Sequence, residues 1–161
     1  PLIVFTPKSM LRLRGATSSV EEFTTGAFQP VIDDPKLESK SAVRRVILVS
    51  GKTYYDLRAA LDKNPDPRVA VVRIEQFYPM PTAELTSVLS GYPGAELVWV
   101  QDEPENQGAW PFISLELAKK LANDKIRLVS RAASAAPSTG SAKVHAVEQE
   151  SLISRALTFD S

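Results

Sequence analysis

Past residue 42 the apolar positions alternate between continuous runs and helix-spaced stripes. Val46-Ile47-Leu48-Val49 is an unbroken run, the pattern of a strand covered on both faces. Ser50-Gly51 turns the chain, and residues 52–63 place Tyr54, Leu57 and Leu61 at helical spacing. Asn64-Pro65-Asp66-Pro67 ends that helix, and Val69–Ile74 is the next strand. Pro79 and Pro81 bracket a loop. Thr82 is expected to cap a helix with Leu85, Val88 and Leu89 on one face, ended by Gly91 and Pro93-Gly94. Leu97–Val100 is a third strand. A polar loop and a helix follow, with Pro111 in its first turn and Ile113, Leu117 and Leu121 on one stripe. Ile126–Val129 is a fourth, shorter strand. The Ser/Ala/Pro-rich loop 130–142 leads into a last helix over roughly 145–157.

Strand and helix alternate throughout this stretch. That order predicts an α/β fold with a mainly parallel sheet flanked by helices and right-handed crossovers. Residues 2–6 read as another short strand, ended by Pro7. A strand pattern opening at Pro1, without a Met, is expected of a piece of a longer polypeptide. Residues 7–42 show no sustained period and read as an interdomain connection, with Phe23, Phe28, Val31 and Ile32 as apolar pegs holding it to a surface.

Composition narrows the chemistry. The 161 residues are 43% apolar and 24% charged, enough to bury a core. Nineteen basic and nineteen acidic residues cancel, which argues against a broad nucleic-acid or anionic-lipid footprint. No Cys is present, so disulfides, thiolate metal sites and a Cys nucleophile are excluded. The single His excludes a multi-His metal centre and leaves His145 as the one candidate for a triad. No apolar run approaches the ~20 residues of a membrane helix.

Four places invite a chemical reading. Ser50-Gly51-Lys52-Thr53 shares the Gly-Lys-Thr ending of a phosphate-binding loop, but position 46 is Val where that loop needs Gly. A tight turn with a solvated Lys52 is the plainer reading. Gln101-Asp102-Glu103-Pro104-Glu105-Asn106-Gln107-Gly108-Ala109-Trp110 puts three acids within four residues. They suit a Mg²⁺ site or an acid–base pair, or else they cap the next helix and face a partner, with Trp110 packed at an interface. Ser50, Gln76 and Gln101 end strands, and their convergence would make a polar ligand site at the carboxyl edge of the sheet. His145 has Glu148 three residues on to orient its ring, but no G-x-S-x-G elbow accompanies it.

Taken in order, five segments resemble one family. They are Pro1–Arg12, Ser50–Leu57, Arg73–Pro81, Trp99–Trp110 and Lys143–Gln149. Together they resemble the C-terminal part of the thiamine-diphosphate-dependent decarboxylating component of 2-oxoglutarate dehydrogenase, and the likeness covers the whole chain. Glu103-Pro104-Glu105-Asn106-Gln107-Gly108-Ala109-Trp110 is its most specific element. The resemblance implies a transketolase-like layout. Residues 1–10 would be the last strand of a preceding pyrimidine-binding domain, 11–42 the interdomain connection, and 43–161 a transketolase-like C-terminal domain.

By the same resemblance the parent enzyme decarboxylates 2-oxoglutarate with thiamine diphosphate and Mg²⁺ and passes succinyl to a lipoyl carrier. This chain carries none of the family's catalytic, cofactor or metal residues, so it would serve assembly and regulation. Its partners would be the rest of its polypeptide, a second subunit and the dihydrolipoyl succinyltransferase, with neither nucleic acid nor membrane. Asp102, Glu103, Asn106, Gln107, Trp110 and His145 are the candidate interface residues. Actinobacterial members bind acetyl-CoA as an activator partly through this domain. Gln76 matches one contact position and is the candidate effector residue, while Ala27, Pro30, Ala83 and Glu84 replace polar or basic groups. Fewer cations and an added acid are expected to weaken a polyphosphate ligand. The expected compartment is the bacterial cytoplasm, or the mitochondrial matrix in a eukaryote. The alternatives are a fragment of a related 2-oxoacid decarboxylase or carboligase, and a free-standing nucleotide-binding regulatory module.

Overall fold

An unbroken apolar strand needs cover on both faces, and the computed structural model of the chain provides it. The structure describes residues 1, 3–121 and 126–159. Among them, five strands make one sheet: β1 (Val31–Ile32), β2 (Arg45–Val49), β3 (Val69–Ile74), β4 (Glu96–Pro104) and β5 (Ile126–Arg131). The helices are α1 (Val20–Thr24), α2 (Thr53–Lys63), α3 (Thr82–Ser90), α4 (Trp110–Leu121) and α5 (Ala142–Leu157). Strand order is β1-β3-β2-β4-β5, with every pair parallel except β1–β3. The α/β architecture read from the alternation is therefore the one observed.

The two-residue pleat sorts each strand onto two cores. Val46 and Leu48 of β2 face Leu85 of α3 and Ile113 and Leu117 of α4. Ile47 and Val49 face Leu57 and Leu61 of α2 and Leu152 and Ala156 of α5. Ile47 lies between Val71 and Val98 in register, so β2 is central and fully buried. The side chain of Leu121, expected on the α4 stripe, lies outside the described residues.

Helix starts depart from expectation in two places. Thr82 does not cap α3. The N-cap is Pro81, whose carbonyl accepts from Leu85 N at 3.0 Å, and Thr82 is the first helical residue. The ring holds φ of Pro81 near −77°, already suited to leading a helix. Helix α5 starts at Ala142, earlier than the apolar pattern indicates, because Ser141 caps it by accepting from Val144 N at 3.4 Å.

The connection is more ordered than its aperiodic sequence implies. Val31 and Ile32 form β1 on the edge of β3, facing Ile74 and Arg73. Just beyond, the Asp34 carboxylate accepts from Val71 N at 2.9 Å, Lys36 N at 3.0 Å and Arg58 Nη1 at 3.0 Å. Asp34 thus satisfies an edge amide of β3 that the two-residue strand does not reach. Phe23 and Phe28, also expected to be pegs, are 80% and 69% exposed. Helix α1 is a single turn held locally by a capping box: Ser19 N donates to Glu22 Oε2 at 2.7 Å, and Glu22 N to Ser19 Oγ at 3.3 Å. It needs no apolar cover to form. Residues 3–7 are not in a strand, and short 3-10 turns follow at Lys8–Arg12 and Arg14–Ala16. Extended backbone becomes a strand only when a neighbour takes its amides and carbonyls, and no described segment pairs there. Leu2 lies outside the described residues.

Candidate functional site

The parallel strands β2 and β4 end side by side, and a crevice opens beyond their carboxyl ends, where open α/β sheets place ligands. After Val49 the chain turns at Gly51, whose φ of +63° a side chain would resist, and enters α2. Strand β4 runs on through polar residues to Pro104, four residues beyond the apolar run. The crevice has a volume of about 810 Å³. Ser50, Lys52 and Thr53 form one side and Gln101, Asp102 and Glu103 another, over an apolar bed of Phe77, Trp99 and Phe112. Phe77 meets Trp99 edge-on, with ring centres 6.0 Å apart.

Gln101 organises this end of the molecule. Its Oε1 accepts from Trp99 Nε1 and from Trp110 N, both at 2.9 Å. Its Nε2 donates to the carbonyls of Pro104 at 3.1 Å and Gln107 at 2.8 Å. The residue is 4% exposed, and its amide holds the 104–110 loop closed over β4. Gly108 makes the close approach possible. Its φ is +66°, and a Cβ there would stand 3.0 Å from Glu103 Cβ and 3.1 Å from Gln101 Nε2. The expectation that acids cap the following helix is corrected: α4 has no acid in its first turn, and Gln101 receives the Trp110 amide. Asp102 and Glu103 belong instead to the extended end of β4, and Glu105 to the turn that follows it.

Glu103 has its carboxyl pushed above the usual range, first by burial and then by the neighbouring Asp102 charge; Arg131 opposes the shift. Among the described residues, no group of three His, Asp or Glu side chains is placed to hold a metal ion.

A polar network runs behind the crevice. Lys52 Nζ donates to Asp56 Oδ2 at 2.5 Å, so Lys52 is paired and not simply solvated. Gln149 Nε2 donates to the same oxygen at 3.0 Å. Arg131, at the end of β5, donates to Gln149 Oε1 at 2.9 Å and lies 3.1 Å from His145 Nδ1. Guanidinium nitrogens only donate, so Nδ1 accepts and the neutral ring carries its proton on Nε2. Arg131, not Glu148, therefore orients His145. Glu148 instead forms a 3.3 Å ion pair with Arg131 Nε, outside hydrogen-bonding geometry. The sequence reading missed Arg131, whose only signal was its place just after the fourth apolar run.

The expected site residues divide into groups. Ser50, Gln101, Asp102, Glu103 and His145 all border the crevice. Gln76 does not join them: it donates to Pro79 O at 2.7 Å, and its amide bonds Pro30 O at 3.2 Å on the β1 edge. Asn106 exchanges two 3.0 Å hydrogen bonds with the Ser134 backbone, and Gln107 donates to Ser134 O at 2.7 Å. These two amides tie the loop to the segment after β5. Trp110 is half-buried and packs on the α3/α4 core of its own chain.

Residues 17–157 match the family described as 2-oxoglutarate dehydrogenase C-terminal. The chain is 46% identical over 159 residues to a 2-oxoglutarate dehydrogenase E1/E2 component of Corynebacterium glutamicum. It is 47% identical over 165 residues to a multifunctional 2-oxoglutarate metabolism enzyme of Mycolicibacterium vanbaalenii. Each likeness covers 97% of this chain but 13% of the relative's length. With a match across nearly all of the α/β layer and the crevice loop, the chain belongs to the 2-oxoglutarate dehydrogenase C-terminal family.

Proposed function

We propose that this chain is the non-catalytic C-terminal assembly and regulatory domain of a thiamine-diphosphate-dependent 2-oxoglutarate dehydrogenase. Its parent decarboxylates 2-oxoglutarate, using thiamine diphosphate and Mg²⁺ held elsewhere in the polypeptide, and passes succinyl to a lipoyl carrier. The observation that carries the reading is the match over 97% of the chain to relatives named for 2-oxoglutarate chemistry. In this assignment residues 1–10 belong to a preceding domain and 11–42 connect it to the domain 43–161. The exposed Phe5, Phe23 and Phe28 support it, since so much aromatic surface in one segment is suited to contact with the rest of a polypeptide. The partners are a second subunit and the dihydrolipoyl succinyltransferase of the complex, in the bacterial cytoplasm.

The loop from Gln101 to Trp110 is the assigned interface element. The test compares Trp110→Ala and Asp102→Asn in the full-length protein by sedimentation and steady-state turnover. Trp110→Ala is expected to weaken subunit association, and Asp102→Asn to leave turnover intact. A fully dimeric Trp110 variant beside an Asp102 variant that alone loses chemistry would make the loop catalytic and end the interface assignment.

A further inference from the structure

The crevice contains donors that the assembly reading does not use. Helix α2 has eleven residues and no side-chain cap. Its amides at Tyr54 and Tyr55 turn back on the carbonyls of Gly51 and Lys52, at 3.3 and 2.9 Å, while those of Lys52 and Thr53 stay open. An uncapped start alone would mean little. Thr53, however, is 3% exposed, lines the crevice, and has a hydroxyl that no described residue bonds. The Ser50 hydroxyl on the same wall is likewise unbonded. Lys52 spends one of its three ammonium donors on Asp56. Amides, hydroxyls and an ammonium on one wall are the donor set of an oxyanion seat at a helix N-terminus. The opposite character lies beside it: Phe77, Trp99 and Phe112 offer apolar and aromatic surface.

We propose that this crevice binds a small molecule with a single oxyanion head, carboxylate or phosphate monoester, on a flat apolar body. The head sits on the α2 start between Ser50 and Thr53, and the body lies along Phe77, Trp99 and Phe112. Asp102 and Glu103 face the same space and turn away longer runs of negative charge, so a polyphosphate is a poor fit. The turn is also too short to wrap a phosphate chain, consistent with a one-group seat. The crevice shares Asp102 and Glu103 with the assigned interface loop, but Ser50 and Thr53 lie outside that loop, so Thr53→Val is expected to leave sedimentation unchanged and the two proposals fail separately.

The experiment is calorimetric titration of the full-length protein with phenyl phosphate, phenylacetate and inorganic phosphate. Saturable binding of a phenyl probe is expected, weaker for inorganic phosphate alone. Comparison of phenyl phosphate with phenylacetate identifies the preferred head. Thr53→Val, close in shape to Thr, is expected to reduce affinity about tenfold, the effect of losing a hydrogen bond to a charged group. Ser50→Ala, on a half-buried residue, is expected to weaken binding in the same direction and guards against a folding artefact. No saturable binding by either phenyl probe, as when a protein segment fills the crevice, overturns the proposal. So does binding that both variants leave unchanged.

Discussion

Replacing Gln101 with Leu removes the four hydrogen bonds of 3.1 Å or shorter, and a long one to Glu103 O at 3.5 Å, from a residue that is 4% exposed while nearly preserving its volume. Two donors lose their acceptor, Trp99 Nε1 and Trp110 N. Two carbonyls lose a donor, Pro104 and Gln107. A buried donor left unpaired costs about 1–3 kcal/mol. The Trp99 indole is fully buried and incurs that cost, whereas Trp110 is half-buried beside the crevice and can recruit water. Carbonyls retain a second lone pair and are cheaper to strand. The new methyl groups return part of the loss through apolar burial. The net expectation is a destabilisation of about 3 kcal/mol, or roughly 6–12 °C in Tm for a domain of this size. Urea denaturation followed by Trp fluorescence suits the test, because the chain has two Trp residues and both bond Gln101. Gln101→Glu keeps an acceptor for the two Trp donors but turns an oxygen on the two carbonyls, so it too should unfold earlier. A Gln101→Leu variant within about 1 kcal/mol of the parent would refute the view that this amide closes the loop.

Three other outcomes are expected. Glu103 has its folded carboxyl raised above the ordinary 4.5, so the protonated side chain favours the folded state and stability falls as pH rises through the folded value. Glu103→Gln should therefore match the parent near pH 4 and exceed it at neutral pH, and equal urea midpoints at pH 7 would contradict this. Asp34→Ala strands the Val71 amide and leaves the largely buried Arg58 guanidinium only its 3.4 Å pairing with Asp62, and should cost about 3 kcal/mol in chemical denaturation, against less than 1 if β1 docking is incidental. Acetyl-CoA titrated into the full-length protein should show no tight, salt-sensitive complex. Gln76 is already bonded to Pro79 O, and Ala27, Pro30, Ala83 and Glu84 supply no cation for the polyphosphate.

What the one-dimensional pattern determined was local. The unbroken run Val46–Val49 carries its own statement that both faces are covered, and the stripe Tyr54, Leu57, Leu61 says which side of α2 turns inward. Prolines and glycines between them mark the turns, so α/β alternation was readable without coordinates. The long motif from Gln101 to Trp110 carried the family. Tertiary structure decided whatever depends on residues far apart in sequence. β1 has two residues, too few for any period, and exists because β3 offers an edge and Asp34 completes it. β4 outlasts its apolar run because β5 lies alongside: pairing in register runs from Leu97–Ile126 to Val100–Val129, an irregularity takes up Gln101, Asp102 and Glu103, and pairing resumes at Pro104–Arg131, although polar residues at a strand end read as loop. Gln101 looked like one of several polar residues before a helix; its role follows from Trp99, Gln107 and Trp110 being folded around it. Arg131 and His145 meet because β5 and α5 pack together, while Gln76 is tied to Pro79 and Pro30 beside β1. Hydrophobic burial follows a period of 2 or 3.6 and is written along the chain, whereas a hydrogen-bond partner is fixed by distance in space, which no period records.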